Sequence, residues 1–260
     1  MKITLKSRHE IDLMRAAGRV VYQTLQRCRE LVRPGVSTVE IDALALQTYT
    51  AAGASGLFKN YPTYKPGTGF PGNTCISVND EVVHGIPGSR VLQEGDVVSV
   101  DCGIRLGGWC GDSAITVGVG TLQPRHAELI RVTQETLDLA IGMARPGIRW
   151  SDIARKMQRH VENAGFACVR EFVGHGIGQA MHEEPKIPNF VSAEFERRGD
   201  FYLQAGMTLA IEPMVIVGAK DVVVLDDGWT VVTKDGSYAA HIEHTIAVTA
   251  GGSEVLTKGG

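Results

Sequence analysis

An internal repeat constrains the fold of this chain more than any other feature of its sequence. Residues 131–165 match residues 19–53 when 112 is subtracted from their numbers. Both copies carry an Arg-Pro-Gly step in the middle and an Ala-Gly pair at the end. Because Pro and Gly at such positions end helices, each copy predicts two consecutive helices.

Capping signals give the bounds of these helices. Ser-x-x-Glu capping boxes begin at Ser7 and at Ser37, and Pro124 suits the first position of a third helix. The predicted helices run from Ile11 to Leu31, from Ser37 to Gly53, from Pro124 to about Ala144, and from a Ser151-Asp152 cap to Gly165.

The repeat continues through the loops and strands that follow each helix pair. His84-Gly85-Ile86 in the first half matches His175-Gly176-Ile177 in the second. A Leu-Gln-x-Gly segment begins nine residues before Asp101 and again nine residues before Glu212. Finally, Asp112–Ile115 matches Glu243–Ile246. We therefore predict an α+β fold in a single domain, 1–260. Its two halves, about 7–118 and 124–250, are related by a pseudo-twofold axis. Their strands form one curved antiparallel sheet with helices on its convex face.

Two β-branched runs flank Gly107-Gly108, which predicts a β-hairpin over 97–117. We centre its turn between Leu106 and Gly107, so that Asp101 faces Asp112 directly. Carboxylates about 5 Å apart repel by about 3 kcal/mol at an effective dielectric near 20. A proton or a cation must therefore separate the pair unless solvent reaches both acids.

The pseudo-twofold axis brings four acids, Asp101, Asp112, Glu212 and Glu243, into one predicted pocket. Histidines are the only side-chain cations nearby in sequence, and they are too few to balance four charges, so we expect a dinuclear metal site. Oxygen ligands with one imidazole suit Mn, Fe(II), Co or Zn. Two such ions can activate a shared water and polarise a carbonyl, which predicts a hydrolase.

Composition narrows the function classes. The formal net charge of −3 and the pI of about 6.2 give no basic surface for nucleic acid. No apolar run reaches the roughly 18 residues of a membrane span, and residues 1–6 lack the apolar core of a signal peptide. Five cysteines without a Cys-x-x-Cys pair favour reduced thiols, so we expect a cytoplasmic protein.

Seven sequence motifs together resemble those of one protein family. They are V-V-H-G-I-P at 82–87, V-D-C-G-I at 100–104, G-D-S-A at 111–114, F-V-G-H-G-I-G at 172–178, M-H-E-E-P at 181–185, I-E-P-M at 211–214 and I-E-H-T at 242–245. Together they resemble the methionine aminopeptidases of metallopeptidase family M24, from the first helix to Val248. The resemblance implies the pita-bread (creatinase/aminopeptidase) fold. Only 36 residues separate His175 from Glu212, as in the short bacterial type 1 form.

The resemblance also implies residue roles. Asp101, Asp112, His175, Glu212 and Glu243 are the expected ligands of two divalent metal ions, with Asp112 and Glu243 bridging them. Glu212 is expected to take a proton from the attacking water. His182 is expected to steady the scissile carbonyl and His84 to contact the scissile amide.

The methionine pocket follows from the same resemblance. Its expected residues are Phe70, Cys75, Met181 and Trp229, together with His84 and His182. The loop from Tyr61 to Gly72 is longer than in the shortest relatives, so Tyr61 and Tyr64 receive no role, and neither does the wider loop over 57–74. His241 shares a strand face with Glu243, and we leave open whether it supports the ligands or is a packed core residue.

The expected function is removal of the initiator Met from nascent chains by a monomeric enzyme with possible transient ribosome contact and no nucleic-acid specificity. A peptidase for Xaa-Pro bonds is the first alternative, although such relatives usually carry a further N-terminal domain. A non-catalytic, ribosome- or RNA-associated relative is the second, although such proteins typically lose metal ligands.

Overall fold

Four long helices form the two pairs that the repeat predicts. The structure, a computed structural model, describes residues 2–62 and 69–259. The helices are α1 (Arg8–Leu31), α2 (Thr38–Ala51), α3 (Pro124–Met143) and α4 (Trp150–Asn163), with a short α5 (Ala193–Arg198). Subtracting 112 from the bounds of α4 gives 38–51, the bounds of α2. None of the helices in these described ranges is long and apolar enough to cross a membrane.

The helix caps follow the sequence at three of the four starts. Ser7 forms the predicted capping box with Glu10, and the Ser37 N–H donates to the Glu40 carboxylate at 2.8 Å. Pro124 is the first residue of α3, as predicted.

The cap predicted for the fourth helix is wrong. The helix begins at Trp150 with Arg149 at the N-cap position, and Ser151 is already inside the first turn. The Ser151 N–H and hydroxyl both donate to the Asp200 carboxylate, at 3.1 and 2.7 Å. A carboxylate from a distant segment thus satisfies the helix start, and the local sequence holds no sign of it.

Fifteen strands are present within the described residues, and most join one sheet. They are β1 (Ser55–Gly56), β2 (Cys75–Val78), β3 (Glu81–Val83), β4 (Val97–Leu106), β5 (Trp109–Gly118), β6 (Ala167–Cys168), β7 (Gly174–Gly176), β8 (Glu183–Ile187), β9 (Thr208–Ile211), β10 (Met214–Ile216), β11 (Val222–Val224), β12 (Val231–Thr233), β13 (Ala239–His241), β14 (Glu243–Thr249) and β15 (Gly252–Val255).

The main sheet joins the two halves of the repeat. Its strand order is β1-β4-β5-β14-β9-β7-β8, with β2 beside β4 and β15 beside β14. Each half contributes its strands to one side of the order, and the halves meet where β5 pairs with β14. All pairings in the sheet are antiparallel, as predicted.

The β4–β5 hairpin turns at Gly107-Gly108, between Leu106 and Trp109, which pair with each other. Both glycines have positive φ, 56° and 86°, as both central positions of a type I′ turn require. The turn is therefore centred between the two glycines, one residue beyond the predicted position.

This shift makes the predicted facing of Asp101 and Asp112 wrong. Asp101 pairs with Ala114, and Asp112 pairs with Gly103. Because the register differs by two residues, which is the period of a strand, both acids remain on one face of the sheet and lie diagonally.

The helices cover the opposite face. Val98, Val100 and Cys102 alternate with the acid-bearing face and pack with the inner sides of α1 and α2. In the second half, residues of α3 and α4 form the corresponding core with β9 and β14. The apolar packing on one side of the sheet thus leaves the other side for a polar site.

The C-terminal segment crosses the first helix. Gly18 of α1 faces the main chain of Leu256, and a Cβ at Gly18 would lie 2.3 Å from the Leu256 carbonyl oxygen. Leu256 N–H donates to the Thr245 carbonyl at 2.9 Å, which fixes this segment to β14. The close approach requires a glycine at position 18.

We expect Gly18→Ala to destabilise the protein by about 1–3 kcal/mol, since the added methyl overpacks a backbone contact. Gly142→Ala in α3 is the matched control, because nothing lies within 4 Å of a Cβ there. Helix propensity favours the control by up to about 1 kcal/mol. Urea unfolding of both variants measures the difference, and equal stabilities would contradict the close approach.

Candidate active site

Neighbouring strands bring the five predicted ligand residues to the polar face of the sheet. Asp101 lies on β4, Asp112 on β5, Glu243 on β14 and His175 on β7, and Glu212 directly follows β9. These are consecutive strands in the sheet order. All five side chains line one pocket. The repeat predicted this for the four acids, and the family resemblance predicted it for His175.

The register explains how the acids converge. Ala114 pairs with Asp101 on one side and with Glu243 on the other. A small residue between these two acids leaves room for their carboxylates. Gly103, opposite Asp112, has a similar effect, since a Cβ there would lie 3.1 Å from Asp112 Oδ1.

Four buried carboxylates share this pocket. Burial, together with the neighbouring negative charges, raises the pKa of Asp101, Glu212 and Glu243 well above their usual values. Burial raises the pKa of Asp112 to about 7. Without compensation the four groups therefore resist ionisation at neutral pH.

Buried polar atoms without hydrogen-bond partners indicate which kind of ligand fits the pocket. Asp101 Oδ1, Asp112 Oδ1, Glu243 Oε1 and His241 Nε2 are buried without a hydrogen-bond partner. Ligand atoms of Asp112, His175 and Glu243 lie within 4.8 Å of one another. Orphaned carboxylate oxygens beside an imidazole are a suitable donor set for divalent cations, so the residues fit a metal site.

The His175 ring is oriented for this use. Its Nδ1 lies 2.8 Å from the carbonyl oxygen of Gly176, and since a carbonyl only accepts, Nδ1 carries the proton. Nε2 is then free to bind a cation, and it lies 3.6 Å from Glu212 Oε1. Burial lowers the His175 pKa to about 3, which keeps the ring neutral.

His241 belongs to this cluster rather than to the apolar core. Its Nε2 lies 3.7 Å from Glu212 Oε2 and 3.9 Å from Glu243 Oε2. Its main-chain N–H donates to the hydroxyls of Ser99 and Thr116, at 3.2 and 3.1 Å. Strand alternation had left its role open, and the structure places it beside two of the acids.

The two further histidines predicted for the site also line the pocket. His84 follows β3 in the left-handed region, with φ of 59°, and its ring stands edge-on to Phe172 at 5.4 Å. The His182 ring lies 4.3 Å from that of His175. Burial lowers the pKa of both rings, for His84 to about 4, so both are neutral at neutral pH.

Tyr61 is the residue that sequence reasoning missed. Its hydroxyl lies 2.7 Å from His182 Nδ1. Burial raises the pKa of the phenol, which keeps its proton. Tyr61 precedes residues 63–68, which the structure does not describe, and Tyr64 lies among them. The irregular loop gave no periodicity from which the Tyr61 position could be predicted.

An apolar chamber adjoins the acids. Phe70, Cys75 and Met181 are buried together with Phe58, and Trp229 packs against them. Phe70 and Trp229 meet edge-to-face with ring centroids 5.2 Å apart. The four apolar residues predicted for the methionine pocket therefore lie in one cluster, and the pocket that they line also contains the carboxylates, His84 and His182.

A buried acid of α2 fixes the start of this chamber. The Asp42 carboxylate accepts hydrogen bonds from the N–H groups of Asn73 and Thr74 and from both of their side chains, at 2.6–2.9 Å. These residues directly precede Cys75 on β2. The network therefore sets where β2 enters the pocket.

Comparisons with known proteins agree with this site. The model of metallopeptidase family M24 matches residues 12–250. A curated relative from Clostridium perfringens, named methionine aminopeptidase, is 48% identical over 98% of this chain and 98% of its own length. The crystal structure of a methionine aminopeptidase from Thermotoga maritima superposes with a TM-score of 0.93 at 44% identity, over 99% of this chain and 100% of that chain.

A more distant structure shares only the fold. The Xaa-Pro dipeptidase from Bacillus anthracis superposes with a TM-score of 0.77 at 22% identity, and the match covers 98% of this chain but 62% of that one. The predicted pita-bread fold is confirmed by both structures. The family model, the full-length relatives and the fold together show that the chain belongs to metallopeptidase family M24 and, within it, to the methionine aminopeptidases.

Proposed function

We propose that this enzyme removes the N-terminal methionine, including the initiator methionine of nascent chains, by metal-assisted hydrolysis. The observation that carries the proposal is the adjacency of an apolar chamber to a cluster of four acids, of which Asp101, Asp112 and Glu243 each have a buried oxygen without a hydrogen-bond partner. The chamber suits an unbranched thioether side chain, and the acids suit the hydrolytic chemistry at the adjoining peptide bond.

Five residues would hold two divalent ions: Asp101, Asp112, His175, Glu212 and Glu243. Asp112 and Glu243 would bridge, in support of which both lie on the two central strands of the sheet. When bound, such ions lower the pKa of a water and polarise the scissile carbonyl. Mn, Fe(II), Co and Zn all suit the donor set.

Glu212 handles the proton of the attacking water. Its carboxylate lies near the Nε2 atoms of both His175 and His241, at 3.6 and 3.7 Å, within the cluster of acids. Burial and the neighbouring acids raise the Glu212 pKa, so its ionised carboxylate is a stronger base than a solvated one. It accepts the proton of the water and later gives it to the leaving amine.

His182 donates to the carbonyl oxygen as it becomes negative. In this proposal the Tyr61 hydroxyl, which keeps its proton, is the donor to Nδ1 of the neutral ring, and the ring proton is on Nε2. Tyr61 thereby selects the tautomer that can stabilise an oxyanion. His84, on the other side of the chamber, contacts the scissile amide.

The pocket also bears on the alternative substrate. An Xaa-Pro peptidase needs no dedicated chamber for methionine, whereas here Phe70, Met181 and Trp229 enclose one beside the acids. The non-catalytic alternative is disfavoured because every predicted ligand residue is present at the pocket.

The proposal also covers the domain organisation, the location and the partners of the protein. Pairing of β5 with β14 across the two halves supports a single catalytic domain over 1–260. Five free, buried cysteines support a cytoplasmic location. The monomeric state, transient ribosome contact and lack of nucleic-acid specificity stay predictions.

We expect the protein to cleave Met-Ala-Ser and to leave Ala-Pro-Ala intact, because only methionine fills the chamber. Chelation should abolish the activity, and adding back Mn, Fe(II), Co or Zn should identify the ions that restore it. Peptide cleavage followed by chromatography measures both. Cleavage of the proline peptide alone would favour the Xaa-Pro reading, and no metal-dependent cleavage of either would favour the non-catalytic one.

We expect Asp112→Asn to lose both metal ions, because a bridging carboxylate serves two sites at once. Asp226→Asn, a change of the same kind at an exposed acid, is the control and should retain the metals. Metal analysis after dialysis gives the stoichiometry. Full metal content in the Asp112 variant would refute the bridging role.

We expect Tyr61→Phe to lower kcat about tenfold, since His182 then loses the partner that fixes its tautomer and orientation. The control Tyr202→Phe removes a hydroxyl from a side chain that is 56% exposed. In a His182→Ala background Tyr61→Phe should have no further effect on kcat. Additive losses would show that Tyr61 acts independently of His182.

A further inference from the structure

We propose that Lys6 is a positioning residue for His182, acting through a buried ion pair with Glu183. The proposal rests on the proposed function, because His182 matters here as the donor to the scissile carbonyl. It assigns the segment before α1, which touches no substrate, a part in the reaction.

Lys6 is held in place from several directions. Its side chain is 4% exposed, and Nζ lies 2.5 Å from Glu183 Oε2 and 3.1 Å from the carbonyl oxygen of Thr4. The Lys6 N–H donates to the carbonyl of Gly206 at 2.7 Å, just before β9. The ammonium group is therefore a fixed charge rather than a mobile surface one.

Glu183 closes the turn that carries two pocket residues. Its Oε2 binds Lys6, and its Oε1 accepts a hydrogen bond from the Ala180 N–H at 3.2 Å. Met181 and His182 lie between these two residues, and both line the pocket. The shape of the turn therefore depends on where the Glu183 carboxylate is held.

The space around the pair is filled. A Cβ at Gly178 would lie 2.4 Å from Glu183 Oε1 and 2.7 Å from Lys6 Cε, so the pair packs directly on the backbone at the start of the segment. Such contact leaves the carboxylate little freedom to adopt another rotamer.

The same segment is fastened at its other end by the hairpin. The Cys110 N–H donates to the Gly178 carbonyl at 2.8 Å, and Arg105 donates to the Gln179 carbonyl at 3.1 Å. Residues 178–183 thus span two anchors, the β4–β5 hairpin and Lys6. His182 lies at the end that Lys6 holds.

Loss of the Lys6 charge has a defined physical effect. It leaves the carboxylate of Glu183, which is largely buried, without its cation, and such a charge turns toward water. Because His182 is the preceding residue, its ring moves with the backbone. A shift of this kind affects the transition state more than the bound substrate, since a donor aimed at the developing oxyanion tolerates little displacement.

The test uses full-length Lys6→Met and Glu183→Gln, each loaded with metal. Both should lower kcat about tenfold while KM for Met-Ala-Ser stays within about twofold. The affinity for the phosphonic acid analogue of methionine, which mimics the tetrahedral centre, should fall by a similar factor. The affinity for free methionine and the metal content should be unchanged.

Lys2→Met is the matched control, since it removes the same charge from an exposed position of the same segment. It should behave as wild type. The combined Lys6→Met/Glu183→Gln variant should be no slower than the slower single variant, and Lys6→Arg should recover part of the loss.

Normal kcat and phosphonate affinity in Lys6→Met and Glu183→Gln, with only lower thermal stability, would overturn the proposal. Equal losses of affinity for methionine and for the phosphonate would also overturn the proposal, because they would show a general disruption of the pocket rather than misplacement of His182. If Lys6→Met fails to fold, Lys6→Arg and Glu183→Gln decide by the same criteria. Failure of the proposed function is separate, since wild-type protein would then show no metal-dependent cleavage.

Discussion

Mutual repulsion among four buried carboxylates is the constraint on which the rest of this structure depends. Burial alone raises the pKa of each acid, and their proximity raises those of three of them further. Stable folding requires the opposite face of the sheet to provide the apolar burial, which α1 to α4 supply. Divalent cations would turn the unfavourable cluster into a bound site, so the same acids that destabilise the metal-free pocket would make it reactive.

Much of the fold could be predicted because the sequence contains the same pattern of helices, loops and strands twice. The 112-residue offset gave the helix pairs, and strand alternation placed Asp101 and Asp112 on one face. The hairpin register could not be predicted from facing acids, because the type I′ geometry of Gly107-Gly108 decides it. The cap of α4 depends on Asp200, and the Tyr61 contact depends on a loop without periodicity. In both cases the partner is distant in sequence.

The repeat also shows how two copies of one motif acquired different geometries. His175 lies within β7, where the Gly176 carbonyl accepts a hydrogen bond from Nδ1. The other ring nitrogen, Nε2, lies near the Glu212 carboxylate. His84 follows the end of β3 in a left-handed conformation and is packed edge-on against Phe172. The same His-Gly-Ile sequence thus gives a ring beside the acids in one half and a chamber-facing ring in the other. Symmetry therefore predicts the site's location better than the role of each member.

The position of β14 has a consequence for the order of folding. This strand pairs with β5 at the centre of the main sheet although the two strands are far apart in sequence, and the Leu256 segment packs over α1. Contacts of such long sequence separation form late. Until β14 pairs with β5, Glu243 is missing from the cluster of four acids and one face of α1 stays open, so the site is complete only when the two halves have joined.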